Sequence, residues 1–148
     1  MKFRKMIVSD KTDFLNMNRK FFSSPAVLHD VPEEFMERNF EIAVGGNDLA
    51  EAYIFEIDGR PVGYSFLTKN YSTEIGGVCL WIEEAFVEDE YRGRGIGRSF
   101  FEFLSEKYQD AVLRIRMEVE PSNTGAIRLY ENLGYEKLPY VQMIKDFE

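Results

Sequence analysis

The chain has 148 residues, a formal net charge of -8 at pH 7 and a large aromatic content, with 13 Phe and 8 Tyr. This length fits one domain over residues 1–148, and the acidic balance argues against nucleic acid as a partner, because phosphate backbones attract Lys and Arg. Cys79 is the only cysteine, which excludes an internal disulfide and a thiolate metal cluster. Since no apolar run approaches the ~20 residues of a membrane helix and no signal core is present, we expect a cytoplasmic protein without membrane contact.

The first half of the chain reads as one strand, two helices and a hairpin. Apolar residues recur at helical spacing before Pro25 and after Pro32, and the period changes to that of strands after Gly45-Gly46. Asp58-Gly59 is a hairpin turn signal between two apolar runs. The predicted bounds are 3–8 for the strand, 11–22 and 32–44 for the helices, and 52–57 and 61–67 for the hairpin strands.

The second half alternates strands with helices. A long apolar run is followed by a glycine-rich loop, a helix, a strand of alternating apolar and charged residues, a last helix and two short strands. Their predicted bounds are 77–87, 99–107, 113–119, 124–133, 135–138 and 140–144. The hairpins require antiparallel pairing, whereas the strand–helix–strand unit requires a parallel pair. The predicted class is α/β (α+β), with a mixed, mostly antiparallel sheet of about seven strands flanked by four helices.

The loop Tyr91–Arg98 is the most informative segment of the chain. It places glycine at positions 93, 95 and 97 and arginine at positions 92, 94 and 98, between a predicted strand and a predicted helix. Bare amides at a helix N-terminus, with cations close by, are suited to a phosphate-bearing ligand. The Walker loop is excluded because Gly-Lys-Ser/Thr is missing, and the dinucleotide fingerprint is excluded because the spacing is G-x-G-x-G.

Two segments together resemble the signatures of the GNAT superfamily of N-acetyltransferases. The first is the loop Tyr91–Gly97, and the second is the stretch Asn123–Tyr135, which contains Tyr130. The resemblance implies a GNAT-like fold and acetyl-CoA as co-substrate. The first two helices, which select the acceptor in this family, carry no signature that we can match.

The resemblance also implies the residues that bind the cofactor. Backbone amides of the loop would hold the CoA pyrophosphate, and a bulge in the preceding strand would free the amides of Phe86 and Val87 for the pantetheine arm and the acetyl carbonyl. Asn123 would contact the pantetheine chain. The implied loop residues are Arg92, Gly93, Arg94, Gly95, Ile96, Gly97 and Arg98.

Tyr130 matches the family's general acid, which protonates the departing CoA thiolate. A phenol stays protonated near neutral pH, since its reference pKa is ~10. Its helical spacing from Ile127 and Leu133 also fits a core tyrosine.

Two adjacent acids interrupt the apolar strand before the loop. The run 81–87 is similar to the matching strand of polyamine-type members, which implies Glu83 as the base that deprotonates the amine and Glu84 as a contact to a cationic acceptor. Strand alternation predicts that these two side chains point to opposite faces. His29, before the second helix, is a further candidate on the acceptor side, as base or contact.

The sequence therefore predicts an N-acetyltransferase that transfers acetyl directly from acetyl-CoA to the primary amine of a small cationic molecule, without a metal. A protein lysine or N-terminal acetyltransferase remains an alternative, as does an acyl-CoA-binding module without catalysis. The sequence leaves the oligomeric state open, although exposed edge strands near residues 135–144 offer a way for two subunits to pair as a homodimer. The acceptor itself is left open by the sequence.

Overall fold

A computed structural model describes residues 1–147, so Glu148, the last residue of the predicted domain, lies outside the described residues. The strands are β1 (Lys2–Lys5), β2 (Ala50–Ile57), β3 (Arg60–Ser72), β4 (Gly77–Val87) and β5 (Arg114–Met117). The helices are α1 (Lys11–Phe22), α2 (Glu33–Val44), α3 (Ile96–Tyr108) and α4 (Thr124–Asn132). None of the helices in the described part of the chain has the length and apolar character needed to cross a bilayer.

The strands form one five-stranded sheet in the order β1-β2-β3-β4-β5. The first three pairings are antiparallel, and β4 pairs with β5 in parallel, joined through α3. This arrangement confirms the predicted hairpins, the parallel unit and the four helices around a mixed sheet. The sheet thus ends at β5, whose second edge has no partner strand within residues 1–147.

The prediction of about seven strands was wrong, because the segments 135–138 and 140–144 are not strands in the structure. Residues 133–147 have no regular secondary structure, and residues 136–147 are all exposed. Their alternating apolar pattern satisfies the local preference for strand, but a strand also needs a hydrogen-bonding neighbour. The segment does not reach such a neighbour among residues 1–147.

The helices cover the two faces of the sheet and create two separate cores. Phe14 and Met17 of α1 and Phe40 of α2 pack with β2 and β3 on one side, which we call the α1–α2 face. Phe100 and Leu104 of α3 pack on the opposite side, which we call the α3 face, and α4 adds partly buried contacts there. Amphipathic helices bury their apolar stripes in this way on either side of a sheet.

A β-bulge divides β4 into two parts. Pairing with β3 runs from Val87 to Glu84, skips Glu83 and resumes at Ile82. Because side chains alternate along a strand, one extra residue reverses the facing of everything beyond it. Ile82 therefore belongs to the core of the α3 face, whereas Phe86 belongs to the core of the α1–α2 face.

Candidate active site

The pairing between strands β4 and β5 ends at the bulge. Their pairing starts at Cys79 with Arg114 and ends at Ile82 with Met117. β4 continues through Val87 without a partner on that side. Glu83, the bulged residue, is therefore the first residue of the unpaired stretch.

Strand geometry decides which amides of this stretch are free of β3. The Glu88 amide donates to the Val62 carbonyl across the β3–β4 pair. Amide direction alternates along a strand, so the Phe86 amide also points toward β3. The amides of Val87 and Ala85 point the other way, toward the side on which this part of β4 has no partner strand within residues 1–147. Of the two amides predicted for acetyl-CoA, the one at Val87 is thus oriented for a ligand; the amide of Ala85 was missed by the sequence reasoning.

The glycine loop follows β4 and leads directly into α3. Gly93 and Gly95 have φ angles of 72° and 79°, a region that side chains other than glycine rarely adopt. Gly95 is the N-cap of α3, so the helix begins at Ile96 rather than at the predicted Ser99. Within residues 1–147, the amides of Gly93, Arg94 and Gly95 donate no hydrogen bond. The amides in the first turn of α3 are also free, because the carbonyl groups of a preceding helical turn are missing. The loop therefore presents a row of free donors.

Gly97 requires a different explanation. Its φ is not positive, and a Cβ built there would meet only Leu129 Cδ2, at an ordinary distance of 3.8 Å. Neither packing nor backbone conformation demands glycine at this position. Close approach of a ligand to the main chain is the remaining physical reason for a bare backbone here.

The three loop arginines are tied to the loop by local contacts. Arg92 donates from Nε to the Val87 carbonyl at 2.9 Å and pairs with Asp89 at 3.0 Å. Arg94 donates to the Glu90 carbonyl at 2.9 Å, and Arg98 lies 3.9 Å from Glu102. All three side chains remain solvent-exposed, so they add positive charge around the free amides.

Helix α4 holds the two other residues predicted to face acetyl-CoA. Asn123 caps the helix, with its side-chain oxygen accepting from the Ala126 amide at 3.2 Å. Tyr130 packs edge-on against Phe101, with ring centroids 5.1 Å apart, and lines a cleft along the edge of β5. Burial raises the pKa of Tyr130 above its ordinary value, which keeps the phenol protonated.

The bulge brings Glu83 and Glu84 to the same face of the sheet, so the prediction of opposite faces was wrong. Glu83 is exposed and accepts a hydrogen bond at 2.6 Å from Thr68 Oγ1. Thr68 shares a face with Phe66, two residues away, which belongs to the core of the α1–α2 face. Glu84 points into that core. Simple alternation fails here because the extra residue at 83 shifts the register.

Glu84 is held in a buried polar cluster that the sequence did not predict. It is 8% exposed, and its Oε2 accepts from the Tyr64 hydroxyl at 2.6 Å and from Asn18 Nδ2 at 2.8 Å. Asn18 also donates to the Tyr64 oxygen at 2.6 Å, while its own Oδ1 is buried without a partner. Within residues 1–147, Glu84 Oε1 accepts no hydrogen bond, so one carboxylate oxygen remains available.

The surroundings of Glu84 shift its protonation toward neutral pH. Burial raises the pKa of this carboxyl to about 7, against the opposing effect of the hydrogen bonds from Tyr64 and Asn18, and the nearby charge of Glu83 raises it further. The Glu84 carboxyl is therefore protonated in a large fraction of molecules near pH 7.

His29 is not brought to the two acids. It lies exposed in the segment between α1 and α2, and it lines a cavity of about 410 Å³ with residues such as Phe22 and Leu28. Within residues 1–147 it forms no hydrogen bond or ion pair with Glu83 or Glu84. Its predicted role on the acceptor side stays a prediction.

Comparison with known proteins supports the family resemblance. The model of the acetyltransferase (GNAT) family matches residues 12–135. An uncharacterised N-acetyltransferase of Methanocaldococcus jannaschii is 33% identical over 92 residues, which cover 61% of this chain and 41% of that protein. The spermine/spermidine N(1)-acetyltransferase of Bacillus subtilis is 27% identical over 85 residues, covering 53% of this chain and 55% of the relative. The chain thus spans about half the length of the curated relatives it matches.

Solved structures share the whole fold at lower identity. A possible acetyltransferase from Clostridium difficile superposes with a TM-score of 0.84 at 17% identity, covering 99% of this chain and 97% of that one. An aminoglycoside N-acetyltransferase in complex with CoA gives a TM-score of 0.80 at 15% identity, covering 98% and 93%. These likenesses establish the fold, and the family match over residues 12–135 establishes the membership. The chain belongs to the acetyltransferase (GNAT) family.

Proposed function

We propose that this protein transfers the acetyl group of acetyl-CoA directly to the primary amine of a small cationic molecule. The observation that carries the proposal is the row of free amides from Gly93 to Arg98, which follows the part of β4 that is not paired with β5. Amides at a helix N-terminus bind phosphate groups, so the CoA diphosphate would sit on the loop. Arg92, Arg94 and Arg98 add cationic charge beside it.

The thioester would then extend along the unpaired part of β4. The Val87 amide, with the Ala85 amide as an additional donor, is oriented to bind the pantetheine arm and the acetyl carbonyl. The predicted contribution of the Phe86 amide is limited, because this amide points toward β3. An amide aimed at the carbonyl oxygen stabilises the tetrahedral oxyanion, an effect worth ~3–4 kcal/mol of barrier in known cases. Asn123 uses its Oδ1 for the cap, and its Nδ2 donates to no group of residues 1–147, so Nδ2 would contact the pantetheine chain.

The reaction forms one bond and breaks one bond. The neutral amine nitrogen attacks the carbonyl carbon, the tetrahedral adduct collapses, and the carbon–sulfur bond breaks to release the CoA thiolate. Tyr130 donates its phenolic proton to that thiolate. The amine loses a proton to a base, so that the net products are the amide and free CoA thiol.

Glu83 is the proposed base because it is exposed at the point where β4 stops pairing with β5. The Thr68 hydroxyl orients one of its oxygens and leaves the other free for the amine or for a relaying water. Amines of the lysine type have a pKa of ~10.4, so a proton acceptor is needed at neutral pH. Glu84 would contact the acceptor only through Oε1, since Oε2 is engaged by Tyr64 and Asn18.

A small cationic acceptor is favoured by the charge of the molecule and by the relatives. Two acids meet on one face at the bulge, within a chain of net charge -8. Relatives are described as acting on spermine and spermidine, on thialysine, and on aminoglycosides. All three classes present primary amines on cationic molecules.

Calorimetric titration with acetyl-CoA, followed by an amine screen, tests this function. We expect a dissociation constant in the range of about 1 µM to 1 mM, as for typical enzyme substrates, and release of free thiol with at least one of spermidine, thialysine or an aminoglycoside. A lysine-containing peptide as the only acceptor would point to a protein acetyltransferase. Binding without turnover on any amine would point to a non-catalytic module, and absence of binding would refute the proposal.

A further inference from the structure

Three side chains form a row across β3, β4 and β5 on the α1–α2 face of the sheet. Thr68 pairs with Trp81, and Trp81 pairs with Arg116, each directly across from the other. Side chains directly opposite on neighbouring strands project to the same face, and Thr68 shares its face with Phe66. Trp81 is partly exposed and belongs to neither of the two cores. The row therefore lies on a part of this face that α1 and α2 do not fully cover.

Arg116 is the one partly buried arginine without an ion pair among residues 1–147. The other two partly buried arginines, Arg4 and Arg114, each pair with a carboxylate, at 2.7 and 3.2 Å. The Arg116 guanidinium lies over the Trp81 ring, 4.3 Å from its centroid, and forms no hydrogen bond with residues 1–147. A guanidinium carries five N–H donors in a planar fork that matches a carboxylate. Arg116 thus presents this fork without an anionic partner.

The row also connects Arg116 with the proposed base. Glu83 accepts a hydrogen bond from Thr68, at the other end of the row. Residues along a strand are ~3.3 Å apart and neighbouring strands ~4.8 Å apart, so the Cα atoms of Glu83 and Arg116 lie about 8 Å from each other. Arg116 further lines the cleft of about 920 Å³ that Tyr130, the proposed acid, also lines. An acceptor lying along Trp81 would therefore meet an acid at one end and an arginine at the other.

This arrangement selects among cationic acceptors by the position of their charges. A polyamine carries ammonium groups along its whole length, so one of them would approach the partly buried Arg116, where like charges repel more strongly than in water. A carboxylate at that position would instead accept two parallel charge-assisted hydrogen bonds from the guanidinium. An acceptor with a carboxylate at one end and an amine at the other fits both ends of the row. Lysine has these groups on a four-carbon stem and keeps a net positive charge.

We propose that the acceptor is a free α-amino acid whose side chain ends in a primary amine, with its carboxylate bound by Arg116 over Trp81 and its side-chain amine placed at Glu83. The inference rests on the acetyl transfer proposed above and narrows the class of acceptor. Arg116 determines specificity, and Trp81 positions the guanidinium. Neither side chain takes part in proton transfer.

Lysine and cadaverine form a matched pair of acceptors, because they differ only in the carboxylate. We expect wild type to release CoA thiol with a kcat/KM at least about 10-fold higher for lysine than for cadaverine. Arg116→Gln should lower kcat/KM for lysine about 50-fold, mainly through KM, without lowering the value for cadaverine. Arg114→Gln is the matched control, since Arg114 lies on the same strand and face but pairs with Glu74, and it should keep the preference for lysine.

Trp81 is the only tryptophan of the chain, so its fluorescence reports acceptor binding without turnover. In the presence of CoA, lysine should change this emission in a saturable manner, cadaverine should not, and Arg116→Gln should abolish the response to lysine. A saturable response without thiol release from acetyl-CoA would support the carboxylate site while refuting the acetyl transfer.

The dipeptide Gly-Lys carries the same carboxylate and amine at the end of a peptide. A kcat/KM lower for Gly-Lys than for lysine would support a free amino acid as acceptor, and a higher value would overturn it. The proposal would also be overturned if lysine left the Trp81 emission unchanged, or if wild type and Arg116→Gln showed the same ratio of kcat/KM between lysine and cadaverine.

Discussion

At the N-terminus of α3, the groups offered to a ligand are main-chain amides, whereas on the α1–α2 face they are side chains. The loop amides from Gly93 to Arg98 are free because two glycines adopt positive φ angles and a helix begins immediately afterwards. On the α1–α2 face, Asn18, Tyr64 and Glu84 come from three different elements and meet in the interior. A main-chain site depends on local conformation, while a side-chain site depends on the whole fold.

The largest expected effect is on the rate of acetyl transfer, with the affinity for acetyl-CoA nearly unchanged. Tyr130→Phe should lower turnover about 1,000-fold, because the leaving thiolate loses its proton donor, with little change in acetyl-CoA affinity. Steady-state thiol release and calorimetry measure the two quantities. Tyr135→Phe is the control, since Tyr135 belongs to the same aromatic cluster and its buried hydroxyl forms no hydrogen bond with residues 1–147. Equal losses in the two variants would remove Tyr130 from its role.

The next effect probes the buried side chains through stability. The folded pKa of Glu84 is raised to about 7, so the folded state holds a proton that the unfolded chain releases near pH 4.5. The free energy of unfolding should fall by roughly 3 kcal/mol as the pH rises from 4.5 to 7. Glu84→Gln should remove most of this dependence, as followed by urea denaturation at several pH values.

Asp10 and Glu51 affect stability in the opposite direction and mainly below this pH window. The Arg4 guanidinium and the Ile7 amide lower the pKa of Asp10 against the effect of its burial, and Lys5 and Tyr108 do so for Glu51. Their contributions are complete above the unfolded pKa and are lost as the pH falls below it. Parallel stability curves for wild type and Glu84→Gln between pH 4.5 and 7 would show that Glu84 ionises normally.

A smaller effect is expected at the exposed acid of the bulge. Glu83→Gln should lower the rate about 100-fold at pH 7, and the deficit should shrink as the pH rises toward the amine pKa of ~10.4, where the acceptor deprotonates unaided. A pH–rate profile measures this change. Thr68→Val keeps the carboxylate and removes only its hydrogen bond, so it should cost less. A deficit that does not vary with pH would argue against a base at this position.

The smallest effect tests the main-chain site by adding one carbon atom. Gly97→Ala should raise the dissociation constant of acetyl-CoA about ten-fold, equivalent to ~1.4 kcal/mol, because Cβ would stand between the amides and the diphosphate. Gly125→Ala is the matched control, since Gly125 occupies the first turn of α4 and its Cβ would meet nothing within 4 Å. Equal affinity in the two variants would place the diphosphate elsewhere.

The comparison also explains which parts of the site could be predicted. The glycine loop is visible in the sequence because its conformational needs are local: glycine at positions 93 and 95 and a helix directly after them. Asn18 and Glu84 are separated by 66 residues, and no local pattern joins them. The two-helix, hairpin and parallel-unit plan was predictable from periodicity.

Two features of the fold could be predicted only with knowledge of which strands pair. The bulge at Glu83 exists only in the register between β3 and β4, and it brings Glu83 and Glu84 to one face instead of the predicted opposite faces. The stretches 135–138 and 140–144 have the composition of strands, but composition does not say whether an edge is within reach. Both errors arise from the same cause. Strand pairing depends on two segments, whereas the hydrophobic periodicity describes only a single segment.

The extra residue in β4 makes this strand sensitive to changes in its length. Deleting Glu83 would restore regular pairing with Glu84 still opposite Phe66 and Ile82 still opposite Leu67, so both cores would keep their side chains. It would remove the exposed acid and the local bend that a bulge gives to its strand. A deletion at this point should therefore abolish proton transfer while leaving the free energy of unfolding nearly unchanged.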